Sequence, residues 1–230
     1  MHALGRLRVL QSIKPAIIFP KMSRTEFDQA ASENLAQAVR DIEKETDAEI
    51  VIVVRGRSGS YRHADYLLGA SLAFIGLLFV LFTPFDFHTY WVPFDVIALF
   101  LIGVYVSSRS DSIRRICTTE KSRAKAARAG AAAMFYEAGI ANTHAENGLL
   151  IYLSLLEKRL EVIADRGILK AVEPLKWNHA VFHLKEIGRR PKAETFIKGL
   201  RELGKLLAES LPPTGENPNE LADGPRIELK

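Results

Sequence analysis

The chain has 230 residues, 25% of them charged and 48% apolar, which is enough for one well-buried core with room for a second small unit. A net charge of +4 and a pI near 9.2 admit acidic partners, so the placement of the charge has to decide what they are. One cysteine, Cys117, excludes an intrachain disulfide and any metal site built from several cysteines.

The N-terminal stretch MHALGRLRVLQSIKPAIIFPKMSR has no unbroken apolar core and no small-residue cleavage site. A secretory signal is therefore not expected, and residues 1–22 read as a weakly ordered extension. Ser23 with Glu26 forms a capping box and predicts a helix start. Phe27, Ala31, Leu35, Ala38, Val39 and Ile42 then share one helix face. The segment TDAEIVIVV follows as a strand, and its β-branched run Ile50–Val53 predicts burial on both sides.

Tyr66 to Phe85 then carries no charged side chain, and a second apolar run covers 91–108 with Asp95 as its one charge. A hydrocarbon layer of ~30 Å takes about 20 helical residues. The two runs therefore predict an inserted transmembrane helical hairpin over 63–108, with spans at about 66–85 and 91–108. Pro84, Phe85, Phe87, Tyr90 and Trp91 in the connection resemble an interfacial aromatic belt. Asp95 lies close enough to the outer end for water and headgroups to solvate it.

Lysine and arginine set the orientation. Arg55, Arg57 and Arg62 precede the first run, and seven basic residues against Asp111 and Glu120 give 109–128 a net +5. The connection 83–91 has no lysine or arginine. Positive flanks stay on the cytoplasmic side, so both termini are expected there. The basic stretch after the second run reads as a topology signal and a contact for anionic headgroups, through Arg109, Arg114, Arg115, Lys121 and Arg123. That reading takes the lipid bilayer as partner and leaves nucleic acid out.

Beyond the hairpin, an alanine-rich amphipathic helix is expected over about 111–138, stopped at Gly139. NGLLIYLSLLEKRLEVIADRG reads as an antiparallel strand pair. Helices at about 168–187 and 192–210 follow, divided at Gly188 to Pro191. The tail 212–230 has four prolines and is expected to be disordered. The resulting fold class is α/β: a three-layer α/β/α domain with a small mixed sheet, formed discontinuously by 23–62 and 109–211. The hairpin is an insertion after the first strand, and an even number of spans lets one domain close around it.

The segments IEKETDAEIVIVV (42–54), AAAMFYEAGIANTHAENGLLIYLSLLEKRLEVIADRGI (131–168) and AETFIKGLRELGKLLAESLP (193–212) resemble the TPM-domain family. Thylakoid-lumen phosphatase-like proteins and many bacterial envelope proteins belong to it. The resemblance implies an α/β/α fold, and it brings the acid phosphatase activity and calcium binding attributed to some members. Many members are secreted or lumenal, whereas the hairpin and its basic flanks lead here to a bacterial cytoplasmic (inner) membrane. The roles expected are an accessory or interaction module with a protein partner, or a metal-dependent acid phosphatase using Ca2+ or Mg2+. Many members have a glycine-rich segment after the second hairpin strand, where this chain has ADRGILKAVEPLKW.

Phosphoester hydrolysis needs charge stabilisation and a nucleophile or a metal-activated water. Asp165 and Arg166 are the candidate catalytic pair, with Arg166 offsetting phosphate charge. Asp165, Glu146 and Asn147 are the candidate metal ligands. Asp47 and Glu49 lie near the same strand ends. Structural roles compete for each of these: Thr143–Glu146 fits a loop before a strand, and Asp165-Arg166-Gly167 fits a turn. His179 and His183 have the i, i+4 spacing of a helical metal pair, but lack the glutamate of a zinc-protease signature.

Overall fold

The computed structural model describes residues 29–84, 88–215, 221 and 226–228. The expected capping box at Ser23 and the extension 1–22 lie outside them.

The first helix, α1 (Gln29–Glu43), buries Leu35, Ala38, Val39 and Ile42, spaced three and four apart as on one helix face. It leads into β1 (Glu49–Arg55), which is buried along almost its whole length. Two long helices follow, α2 (Arg62–Phe82) and α3 (Val92–Arg109). Next come α4 (Asp111–Ile116), α5 (Glu120–Glu137), a 3-10 turn at Ile140–Asn142, β2 (Gly148–Ser154) and β3 (Arg159–Ala164). Three helices, α6 (Arg166–Ala171), α7 (Pro174–Arg189) and α8 (Ala193–Ser210), precede the short strand β4 (Arg226–Glu228).

The four strands form one mixed sheet in the order β3-β2-β1-β4. β1 is parallel to β2 and β4, and β2 is antiparallel to β3. Strand alternation splits the apolar residues between two faces. Ile50, Ile52, Val54, Leu149, Ile151 and Leu153 pack with α1, α7 and α8. Val51, Val53, Leu150 and Tyr152 pack on the other face with Ala131, Met134 and Phe135 of α5. Helices thus cover both faces, which explains the unbroken β-branched run in β1. β1 precedes the hairpin and β2 follows it, yet the two pair side by side over seven residues.

Three expectations on element boundaries are corrected. The helix expected over 111–138 is two helices. Ser110 caps α4 by accepting from the Ile113 amide, and Thr119 caps α5 by accepting from the Ser122 amide. The Arg123 guanidinium donates at 2.6 Å to the carbonyls of both Arg115 and Thr118, holding the corner between them. The helix expected over 168–187 is also divided, because Pro174 has no amide to continue α6 and instead opens α7. The third correction concerns the tail expected to be disordered. Its residues 226–228 add the fourth strand, held by the Gly56 amide donating to the Glu228 carbonyl and by the Arg55–Glu228 ion pair at 2.9 Å. The expected stop at Gly139 is present, with φ at 73°.

α2 and α3 are long and apolar enough to cross a membrane, with mean hydropathy of 2.1 and 1.5. Only 17% and 11% of those apolar stretches are buried, so they are not core helices of the sheet domain. The two helices touch through glycine. A Cβ on Gly103 would stand 2.7 Å from the Gly69 Cα and 3.1 Å from the Leu68 carbonyl oxygen. Backbone cannot yield as a side-chain tip can. Gly103→Val is therefore expected to push the helices apart and cost about 1–3 kcal/mol. Loss of a disulfide engineered between facing positions of α2 and α3 would report the separation, and unchanged crosslinking would contradict it.

Candidate functional site

The residues singled out in the sequence gather at the amino ends of β1 and β2. The Asp165 amide donates to the Gly148 carbonyl at 2.9 Å, and the Gly167 amide donates to the Glu146 carbonyl at 2.8 Å. These bonds place the exit of β3 beside the loop that leads into β2. Glu146 turns that loop with φ at 52°. Asn147 is buried, with its amide donating to Thr143 Oγ1 and its side-chain nitrogen donating to the Asp47 carbonyl. The Asp47 carboxylate accepts from the amide and hydroxyl of Thr214.

Asp165 caps α6, accepting from the Arg166 amide at 2.7 Å. Its other oxygen, Oδ2, is buried without a hydrogen-bond partner among the described residues, as is Asn147 Oδ1. The two are held by different partners, Asn147 by the Asp47 carbonyl and Asp165 by the first turn of α6. Glu146 is exposed and 3.9 Å from Lys170, and the Arg166 side chain is exposed. The fold therefore brings Glu146, Asn147, Asp165 and Arg166 to one end of the sheet without converging them. No group of three or more His, Cys, Asp or Glu side chains among the described residues is arranged to hold a metal ion. The donor set does not fit Ca2+, which takes six to eight oxygens, or Mg2+, which demands near-octahedral geometry.

His179 and His183 share one face of α7, as their spacing requires. They line a groove of about 430 Å³ between α7 and α8, and His183 Nδ1 lies 3.0 Å from Glu202 Oε2.

The opposite end of the sheet carries the densest polar network, and sequence reasoning missed it. Glu157, in the turn between β2 and β3, is 3% exposed. Its Oε1 accepts from the Ser58 amide at 2.9 Å, the Gly59 amide at 3.1 Å and the Tyr61 hydroxyl at 2.6 Å. Its Oε2 accepts from the Ser154 hydroxyl. Ser58 Oγ adds contacts of 2.8 Å to the Tyr152 hydroxyl and 2.6 Å to Ser154 Oγ. Burial and the bond to Glu157 hold the Tyr61 phenol protonated well above its ordinary range. The loop RGRSGS (55–60) has the composition of an anion cradle, but two of its amides are already taken by this carboxylate. The network fastens the loop after β1 to the turn after β2. Tyr61, Ala64 and Leu156 close its apolar side, with Cys117 against them.

A second joint lies just beyond. The Asp65 carboxylate in the first turn of α2 receives Arg114 of α4 in a two-pronged pair, Nε at 2.9 Å and Nη2 at 2.8 Å. The Ser107 hydroxyl of α3 donates to the same carboxylate at 2.7 Å. All three residues are buried. The hydrogen bonds it donates to Asp65 hold the Arg114 guanidinium above its already high range. One carboxylate thus ties the start of α2, the end of α3 and the helix that follows.

This geometry corrects the headgroup contacts expected from the sequence. Arg114 is spent inside the protein on Asp65, and the Arg123 guanidinium is spent on backbone carbonyls. Arg115 is half-buried and donates to the Asp111 carbonyl. Arg109, over the Tyr105 ring, and Lys121 remain exposed.

The architecture defines a mixed α/β domain carrying two helices of membrane-spanning length and apolarity. No family model matches the sequence, and no curated protein matches it. Among solved structures, the chain is similar to the NMR structure of the BA42 protein from the psychrophilic bacterium Bizionia argentinensis. The identity is 15% and the TM-score 0.53, over 87% of this chain and 94% of that one. At that identity the likeness concerns the fold alone.

Proposed function

We propose that the chain is a membrane-anchored, TPM-like module in which α2 and α3 cross the bilayer and the α/β domain sits on its cytoplasmic face. The observation that carries this reading is the outward apolarity of the hairpin. Phe74, Leu81, Phe94 and Leu101 are all more than half exposed on helices whose polar joints are confined to the domain end. In water such a surface is an aggregation hazard, whereas in lipid it is solvated. Arg55, Arg57, Arg62 and Arg109 flank the hairpin on the domain side, which favours a cytoplasmic domain and the inner membrane of a bacterium.

The joints give the anchor a mechanical role. Glu157 and Asp65 fix the domain to the hairpin, so the domain is held at the surface in one attitude rather than tethered on a loose linker. A rigidly presented domain without a convergent set of catalytic groups among its described residues suits an accessory or interaction module better than an enzyme. A reporter active only outside the cytoplasm is expected to work when inserted between α2 and α3 and to fail at residue 230. Activity at residue 230 would overturn the orientation.

A second reading, a metal-dependent phosphatase, draws on one observation: the buried, unpartnered Asp165 Oδ2. The cap role of Asp165 is the better account. Asp165→Asn is expected to change stability by about 1 kcal/mol or less. Phosphatase assays on wild type and variant, with and without Ca2+ or Mg2+, are expected to show no metal-dependent activity to lose. A large drop in such activity on Asp165→Asn would restore the enzyme.

A further inference from the structure

Between α5 and α7, over the edge strand β3, runs a groove of about 580 Å³. Its walls carry Lys121, Lys125 and Arg128 from α5, Arg159 from β3, and Lys185 and Arg189 from α7. Three of the six cations are matched by ion pairs: Arg159 with Glu120, Lys185 with Glu161 at 3.1 Å, and Arg189 with Glu186 at 3.4 Å. The first two join neighbouring walls of the groove, and the third lies within α7. Lys121, Lys125 and Arg128 are exposed and make no ion pair or hydrogen bond with any described residue. Their i, i+4, i+7 spacing lines them along one stripe of α5. Phe182, 65% exposed, supplies an apolar surface beside them.

Position identifies the partner. Arg159 pairs with Ser154 in register with Arg55, at the sheet end where the chain leaves for the hairpin. Lys121 stands at the start of α5, one corner after α4, which Arg114 bolts to the base of α2. Arg128 is seven residues further along, about 10 Å at a helical rise of 1.5 Å per residue. The cationic stripe thus stays within headgroup reach of the hairpin's base. Ile116 at the end of α4 is 80% exposed at that same end, an apolar side chain suited to an interface. Uncompensated cations, an exposed aromatic ring and this placement fit a molecule with a phosphate at one end and apolar chains at the other. We propose that this groove binds the phosphate-bearing headgroup of an anionic lipid in the membrane that the hairpin spans. The proposal rests on the anchoring reading and adds to it a defined, saturable site in place of diffuse attraction.

Native mass spectrometry of the full-length protein in neutral detergent, titrated with phosphatidic acid or phosphatidylcholine, tests it. Phosphatidic acid is expected to give a saturable adduct and phosphatidylcholine none. Changing Lys121, Lys125 and Arg128 together to Gln should weaken phosphatidic acid binding by about tenfold or more. Changing Lys198, Arg201 and Lys205 on α8 to Gln removes the same charge from an exposed surface elsewhere, and should change binding by less than about twofold. If the triple groove variant is unstable, Lys125→Glu alone is expected to weaken binding by about fivefold or more. Equal losses in both triple variants would overturn the site. So would inorganic phosphate displacing the lipid at equal concentration, or a single-stranded oligonucleotide binding the groove in its place. Alkaline carbonate extraction separates the two claims. Release from the membrane would sink the anchoring reading, whereas retention with an unaltered groove variant would sink only the headgroup site.

Discussion

Asp65→Ala is expected to destabilise the protein by about 3–5 kcal/mol, the range for removing one partner of a buried ion pair. The cost arises mainly from what remains. Arg114 would stay buried without the carboxylate that pairs with it, and the Ser107 hydroxyl would lose its acceptor. Ser107→Ala, which removes one neutral donor and leaves the charge pair intact, should cost about 1 kcal/mol. The informative comparison is the double change Asp65→Leu with Arg114→Leu. With both charges gone and volume roughly kept, most of the loss should be recovered, because an apolar replacement of a buried pair is often neutral or better. Equilibrium unfolding in detergent, followed by the fluorescence of Trp177 in the sheet domain, reads all four proteins. Asp65→Ala within about 1 kcal/mol of wild type would show that water reaches this pair and that the joint is weak.

Much of this architecture is legible in the sequence, and the illegible parts share a cause. The uncharged stretch from Tyr66 to Phe85 admits few alternatives, because composition alone marks it. β1, β2 and β3 announce themselves through β-branched residues and the LLEK turn. The break before Pro174 was also there to be read, since a proline removes an amide wherever it stands. The corner at Cys117–Thr119 was hidden, because the flanking residues are good helix formers and the signal is two caps set close together. β4 has only three residues, too few for any alternation to be seen. The site shows the same limit more sharply. Asp165 and Asn147 reach the same end of the sheet because a strand hairpin brings them there, which sequence spacing reveals. Glu157 takes its donors from Ser58, Gly59 and Tyr61, almost a hundred residues earlier on the far side of the hairpin. No local pattern joins those positions, so Glu157 reads as an ordinary turn residue.

Glu157→Ala is expected to cost about 3–5 kcal/mol, and its effect should be concentrated in one place. The carboxylate accepts four hydrogen bonds within a buried pocket, two from backbone amides and two from hydroxyls. Alanine leaves all four donors behind. The hydroxyls of Tyr61 and Ser154 can rotate towards other acceptors, and Ser58 Oγ already lies beside Ser154. The amides of Ser58 and Gly59 cannot turn without moving the loop, so the loop should loosen and admit water. Glu157→Gln keeps one carbonyl acceptor but turns an amide group towards other donors, and should lose about 2 kcal/mol or more. Tyr61→Phe, which removes one donor and leaves the carboxylate in place, should lose about 1 kcal/mol. Trypsin supplies a local readout, since Arg57 is the residue before the Ser58 amide that Glu157 holds. Cleavage after Arg57 should be slow in wild type and in Asp65→Ala under native conditions, and fast in Glu157→Ala. That contrast distinguishes a loosened loop from general destabilisation, which would expose many sites at once. If Glu157→Ala unfolds like wild type and is cut no faster after Arg57, the buried carboxylate does not hold the domain to its anchor. The loop between β1 and α2 would then be a flexible tether, and the fixed attitude proposed for the domain would fall with it.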